Sequence, residues 1–182
     1  MNEENGYFKQ ALSNFMFDVA SGGAIRHLVD HGHSVDQIMK ELDFPTPRER
    51  VEKTVYQYMI ETGILLDRLP VGEEKLLCRV VKKLSVYEFN KQLTEHVQIN
   101  GEKNSYMQCP FGYLIKNDSE KLKKEISCLT SREQEYIMGI RWERNVMYHR
   151  LNSRMLEIGV QLALNSELEI RFFFLEEKLV LS

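Results

Sequence analysis

Four groupings in the chain have residue types and spacings suited to chemistry. His27 and His31 lie one helical turn apart, with Asp30 and His33 close by. Imidazoles at that spacing can point at one metal ion. The residue after His27 is Leu28 rather than a glutamate, and no cysteine pair completes a tetrahedral set. Polar histidines at a helix end are the preferred reading, and no metal is expected. Ser21-Gly22-Gly23 precedes a helical stretch and could offer backbone N–H groups to an anion. It fits neither the phosphate-loop nor the dinucleotide fingerprint, so an interhelical turn is expected. Cys109-Pro110 carries a thiol with no sequence neighbour to activate it and reads as a structural cysteine. Arg141, Arg144, Arg150 and Arg154 interleave with Trp142, Tyr148 and His149. That mixture suits stacking and phosphate contact with single-stranded nucleic acid. The preferred alternative is an amphipathic helix with Ile137, Ile140, Val146, Met147 and Leu151 inward and Arg stems along its edge. Nucleophile-elbow, kinase and deaminase motifs are absent, so no catalytic residue and no cofactor is expected.

The bulk numbers bound the rest. A chain of 182 residues with 43% hydrophobic and 28% charged residues lies in the ordinary globular range. Its length suits one domain or two small ones. The three cysteines, Cys78, Cys109 and Cys128, are an odd and widely spaced set, which suggests reduced thiols and a cytoplasmic location. The opening MNEENGYFKQ lacks the basic start and apolar run of a signal peptide. No apolar run approaches the roughly 18 residues that span a bilayer, so no membrane partner is expected. Charge is uneven: residues 1–70 hold 7 basic and 11 acidic groups, whereas residues 71–128 hold 10 and 8.

Positioning elements follow from periodicity and punctuation. Phe8, Leu12, Phe15, Met16 and Val19 predict a first helix over about residues 4–19, and Ala24 to His31 a second one closed by Gly32. Ser34 and Gln37 form a capping-box pattern that opens a third helix to about Leu42. Thr46-Pro47-Arg48-Glu49 is the clearest local signal: a hydroxyl cap, Pro at the first helical position, and Glu three residues after the cap. The helix it opens is expected to reach Thr62, with Val51, Val55, Tyr58, Met59 and Thr62 inward. Ile64 to Leu66 and Lys75 to Lys83 read as a strand and its returning partner. Ser85 to Leu93 reads as a short helix, and Asn100-Gly101 as the turn of a hairpin joining strands over about 95–100 and 103–109. Ser119 to Cys128 reads as a charged helix. A capping box at Thr130 to Glu133 opens a long helical stretch to about Leu164. Leu168, Ile170 and Phe172 alternate with Glu169 and Arg171, as in a terminal strand. The Phe172-Phe173-Phe174 run on it is either a core strand or an edge that pairs with a second subunit.

The segment SVDQIMKELDFPTPRERVEKTVYQYMIETGILL resembles the winged helix-turn-helix family. The likeness lies in the Ser-Val start, the Ile38/Leu42 pair, the short turn, the Val51/Val55 helix and the closing Thr62-Gly63-Ile64-Leu65. With its flanks it covers residues 24–83. The resemblance implies that the helix from Thr46 to Thr62 enters the major groove of double-stranded DNA. It further implies an outward stripe of Arg50, Lys53, Thr54 and Gln57, with Lys75 and Arg79 on the wing as backbone contacts. Glu49, Glu52 and Glu61 share that helix, and an acidic setting weakens phosphate binding. A homodimer, or the more basic middle region, would offset this. A weaker echo lies in Leu129-Thr130-Ser131-Arg132-Glu133, which resembles the first helix of regulator and sigma-like helix-turn-helix segments.

The expected architecture is therefore α+β and helix-rich. It has a winged-helix-like N-terminal domain over 1–84 and a C-terminal region over 85–182 with a small antiparallel sheet and a long helix. The expected function is DNA binding or regulation without catalysis. The alternative is a protein-binding adaptor that uses the winged helix and the C-terminal strand.

Overall fold

The computed structural model describes residues 6–9, 22–43, 45–69, 84–175 and the backbone of 74–77. The chain divides into two compact units, one made of residues 1–58 and 135–141, the other of 59–134 and 142–182. The architecture is α+β, with helices and an antiparallel sheet.

In the first unit, residues 6–9 and 22–30 are helical, and the latter are here α1. The expected first helix otherwise lies outside the described residues. α2 spans Val35–Glu41 and opens on the capping box the sequence predicts. The Gln37 amide N–H donates to Ser34 Oγ at 3.2 Å, and the Ser34 N–H donates to Gln37 Oε1 at 2.9 Å. This satisfies two N–H groups that a helix start otherwise leaves without partners. α3 spans Arg48–Glu61 and buries Val51, Val55 and Met59 along one side. Ile25, Val29, Val35, Ile38 and Ile137 are likewise buried.

The second unit holds five strands among the described residues: β1 (Leu65–Leu66), β2 (Glu74–Leu77), β3 (Ser105–Cys109), β4 (Met147–Arg150) and β5 (Phe172–Leu175). Their order is β1-β4-β3-β5-β2, with every pairing antiparallel. Met107 stands opposite His149 on one side and Phe172 on the other. Leu65, Met107, Cys109, Met147, His149, Phe172 and Phe174 therefore share one face, and all are buried. α4 (Val86–Asn100) and α8 (Ser153–Asn165) cover that face. Phe89 of α4 meets Phe172 at 6.0 Å between ring centres. A side chain at Gly159 of α8 would place its first carbon 2.9 Å from the Phe172 ring and 3.0 Å from Met107 Sδ. α8 thus lies close on the sheet because glycine is there. Between β3 and α8 the chain forms α5 (Phe111–Asn117), α6 (Ser119–Glu125) and α7 (Ser131–Gly139). The carboxylate of buried Glu125 accepts the Glu167 N–H at 2.6 Å.

Several elements differ from expectation, each for a physical reason. The long helix to Leu164 is two helices separated by β4. Val146, Met147 and Leu151 suit a helical stripe, but a short apolar run fits either period. Burial alternates along β4 with Met147 and His149 inward, because β4 is flanked by β1 and β3. The hairpin at Asn100-Gly101 is instead the end of α4. Gly101, at φ 91°, gives its N–H to Val97 O at 2.8 Å and turns the chain into β3. Positive φ is what glycine supplies to a hairpin turn or a helix stop alike. β1 and β2 do not pair as a wing: β1 joins β4, β2 joins β5, and they occupy opposite edges of the sheet. β1 and β2 accordingly belong with the C-terminal strands β3, β4 and β5. β5 is paired on both sides, so the phenylalanine run is a core strand and is closed to a second subunit.

Candidate nucleic-acid interface

α3 begins where Pro47 O accepts the N–H groups of Arg50 and Val51, at 3.1 and 3.2 Å. From there a 3.6-residue period places Val51, Val55 and Met59 inward and leaves Arg50, Lys53, Thr54 and Gln57 on the other side. Lys53 and Gln57 are exposed, whereas Arg50 and Thr54 are half-buried. The Thr54 hydroxyl donates to Arg50 O at 2.8 Å, so its hydrogen is directed into the helix and its oxygen remains the outward acceptor. These four predicted residues are brought together on one helix. Lys75 lies on β2 opposite Phe174, in the second compact unit, and Arg79 falls outside the described residues.

The charge balance of α3 is even: Arg48, Arg50 and Lys53 against Glu49, Glu52 and Glu61. Two of the three carboxylates are engaged. Glu52 accepts from Arg48 Nε at 2.9 Å, while Arg48 Nη1 also bonds Asp36 of α2. Glu49 lies 4.0 Å from Arg141. Hydrogen bonding to Asp36, with a further contribution from Glu52, holds the Arg48 guanidinium above its ordinary pKa despite partial burial. On the opposite flank the Tyr58 hydroxyl reaches both carboxylate oxygens of Asp30 at 2.8 Å, and that bond raises the phenol's pKa. Arg141 lies 92 positions after Glu49 in the chain, and no local pattern announces the pair.

The His27 and His31 rings stack at 4.2 Å with a 48° tilt, and His31 Nδ1 lies 2.7 Å from His27 O. Among the described residues no group of three or more His, Cys, Asp or Glu is placed to hold a metal ion. Burial pushes the Cys109 thiol well above its ordinary range, so it stays protonated inside the sheet. The Cys128 thiol is raised by burial first and then by Glu125 and Glu133. Cys78 lies outside the described residues.

The arginine-aromatic segment 141–154 is neither a continuous helix nor an open stacking surface. Trp142 is buried edge-on against Phe111 at 5.1 Å, and His149 is buried within the sheet. Gln108, Tyr148, Arg150 and Phe173 form a half-buried patch on the sheet face away from α4 and α8, which sequence reasoning missed. Tyr148 meets Phe173 edge-on at 5.7 Å, Gln108 Nε2 donates to Tyr148 Oη at 3.3 Å, and Arg150 Nη2 donates to Thr62 O at 3.0 Å. The alternation in SYMQC and MYHR was the available signal. Among the described residues no helix is long and apolar enough to cross a membrane. Searches of protein-family models, of curated proteins and of solved structures found no match to this chain.

Proposed function

We propose that the protein is a DNA-binding or regulatory protein without catalytic activity, with α3 as its reading helix, in line with the winged-helix resemblance of this segment. The observation that carries the reading is the Arg50–Lys53–Thr54–Gln57 stripe, set opposite the buried Val51, Val55 and Met59 on a 14-residue helix. Arg and Gln side chains match base edges in the major groove, and Lys and Thr match phosphate. Pairing of Glu52 with Arg48 and of Glu49 with Arg141 reduces the repulsion that these carboxylates would exert on a duplex. A cytoplasmic homodimer doubles the phosphate contacts and offsets the acidic total.

Fluorescence anisotropy with labelled duplex DNA across a salt series tests the proposal. Affinity is expected to fall steeply with salt. Arg50→Ala with Lys53→Ala should weaken binding and shallow the log–log slope by about 0.9 for each protomer on the duplex, the share of the Lys53 phosphate contact. Undetectable duplex binding at low salt overturns the reading. Tyr87 and Ile99 of α4, 76% and 86% exposed, favour a second reading as a protein-binding adaptor. That adaptor would use α4 rather than the enclosed β5. Co-purification of a partner at constant stoichiometry, lost in Tyr87→Ala with Ile99→Ala, distinguishes it.

A further inference from the structure

Arg48 opens α3 and is engaged on two sides. Its Nη1 bonds Asp36 in the first turn of α2, and its Nε donates to Glu52 one turn along α3 at 2.9 Å. Asp36 lies within a turn already fixed by the Ser34–Gln37 capping box. The guanidinium therefore ties the start of α2 to the start of the helix that carries Arg50, Lys53, Thr54 and Gln57.

We infer that Arg48 is a positioning residue, resting on the reading of α3 as a DNA-facing helix: it holds the recognition stripe at a set angle to α2 and makes no phosphate contact itself. A phosphate approaching Arg48 would stand beside two carboxylates whose charge repels it. A forked guanidinium can serve two carboxylates at once from fixed directions, which a lysine ammonium does not reproduce. Pre-setting the helix lowers the ordering that binding would otherwise require.

The sign of one substitution separates the alternatives. Asp36→Asn removes a negative charge from a domain facing a polyanion, so charge alone predicts tighter duplex binding. The strap predicts weaker binding, by several-fold, with the salt slope unchanged. Arg48→Lys keeps the charge and should weaken binding to a similar extent, again with the slope preserved. Full-length wild type, Asp36→Asn, Arg48→Lys and Arg48→Ala are compared by duplex anisotropy across a salt series, at a temperature where circular dichroism shows wild-type helix content. Tighter binding by Asp36→Asn overturns the assignment. So does a slope shallower by about 0.9 in Arg48→Ala, the signature of one lost phosphate contact. A wild-type protein that binds no duplex at low salt overturns the functional reading itself and this inference with it, whereas the other two results overturn only the role of Arg48.

Discussion

Acidification should weaken this fold through one residue, His149. The side chain is fully buried on β4, opposite Leu65 of β1 and Met107 of β3. Its Nδ1 lies 2.7 Å from Arg150 O, and a carbonyl only accepts, so Nδ1 carries the hydrogen. Burial lowers the imidazole pKa from the usual 6.5 to about 4, and the Arg150 charge adds to the shift while the hydrogen bond to Arg150 O opposes it. Between those two values the unfolded chain binds a proton that the folded chain refuses. The stabilisation is therefore complete above pH 6.5 and is lost as pH falls toward 4. Each pKa unit is worth about 1.4 kcal/mol, so the loss is about 2 kcal/mol at pH 5 and about 3 kcal/mol at pH 4. Against a typical stability of about 5–15 kcal/mol that is a large fraction. Urea denaturation of wild type and His149→Gln at pH 7.5, 6.5, 5.5 and 4.5 isolates the effect, because other titrating groups cancel in the difference. His149→Gln should be the less stable protein at pH 7.5, and its deficit should shrink steadily below pH 6.5. A difference that stays constant across the range would refute the argument that the buried ring excludes the proton.

Other perturbations bear on packing. A Cβ at Gly112 would lie 2.0 Å from Arg144 O, a backbone atom with no side-chain freedom to retreat. Gly112→Ala should lower stability by about 3 kcal/mol or more in urea denaturation. A Cβ at Gly23 would meet no atom within 4 Å among the described residues, and the position lies in α1, so Gly23→Ala should raise the melting temperature, with a gain of about 0.5–1 kcal/mol. Phe172→Ala empties a fully buried site between Phe89 and Gly159 and should lower stability by about 3–5 kcal/mol, measured the same way. Ser34→Ala removes the α2 cap and should lower stability by about 1 kcal/mol, again read by urea denaturation.

What could be read from the chain alone was what depends on a few neighbouring residues. The Ser34–Gln37 box is present, and the Thr130–Glu133 box closes with Glu133 N–H on Thr130 Oγ1 at 3.2 Å and Thr130 N–H on Glu133 Oε1 at 3.0 Å. The inward Val51, Val55 and Met59 of α3, and the opposite placement of Arg50, Lys53 and Gln57, follow from helical period in the same way, whereas Thr62, expected inward, lies past the end of α3 and is exposed. Partners distant in sequence were not legible. Met147 to Arg150 became a strand because β1 and β3 offer their backbone groups on both sides, and Asn100-Gly101 ended a helix because Phe89 and Leu93 drew α4 against the sheet. The same holds for the charges around α3, since Asp36 and Arg141 reach it only through folding. Caps and periods arise from covalent proximity and are present in the sequence itself. Strand pairing, burial of His149 and the Glu49–Arg141 contact need groups tens of residues apart, and only tertiary packing brings those within reach.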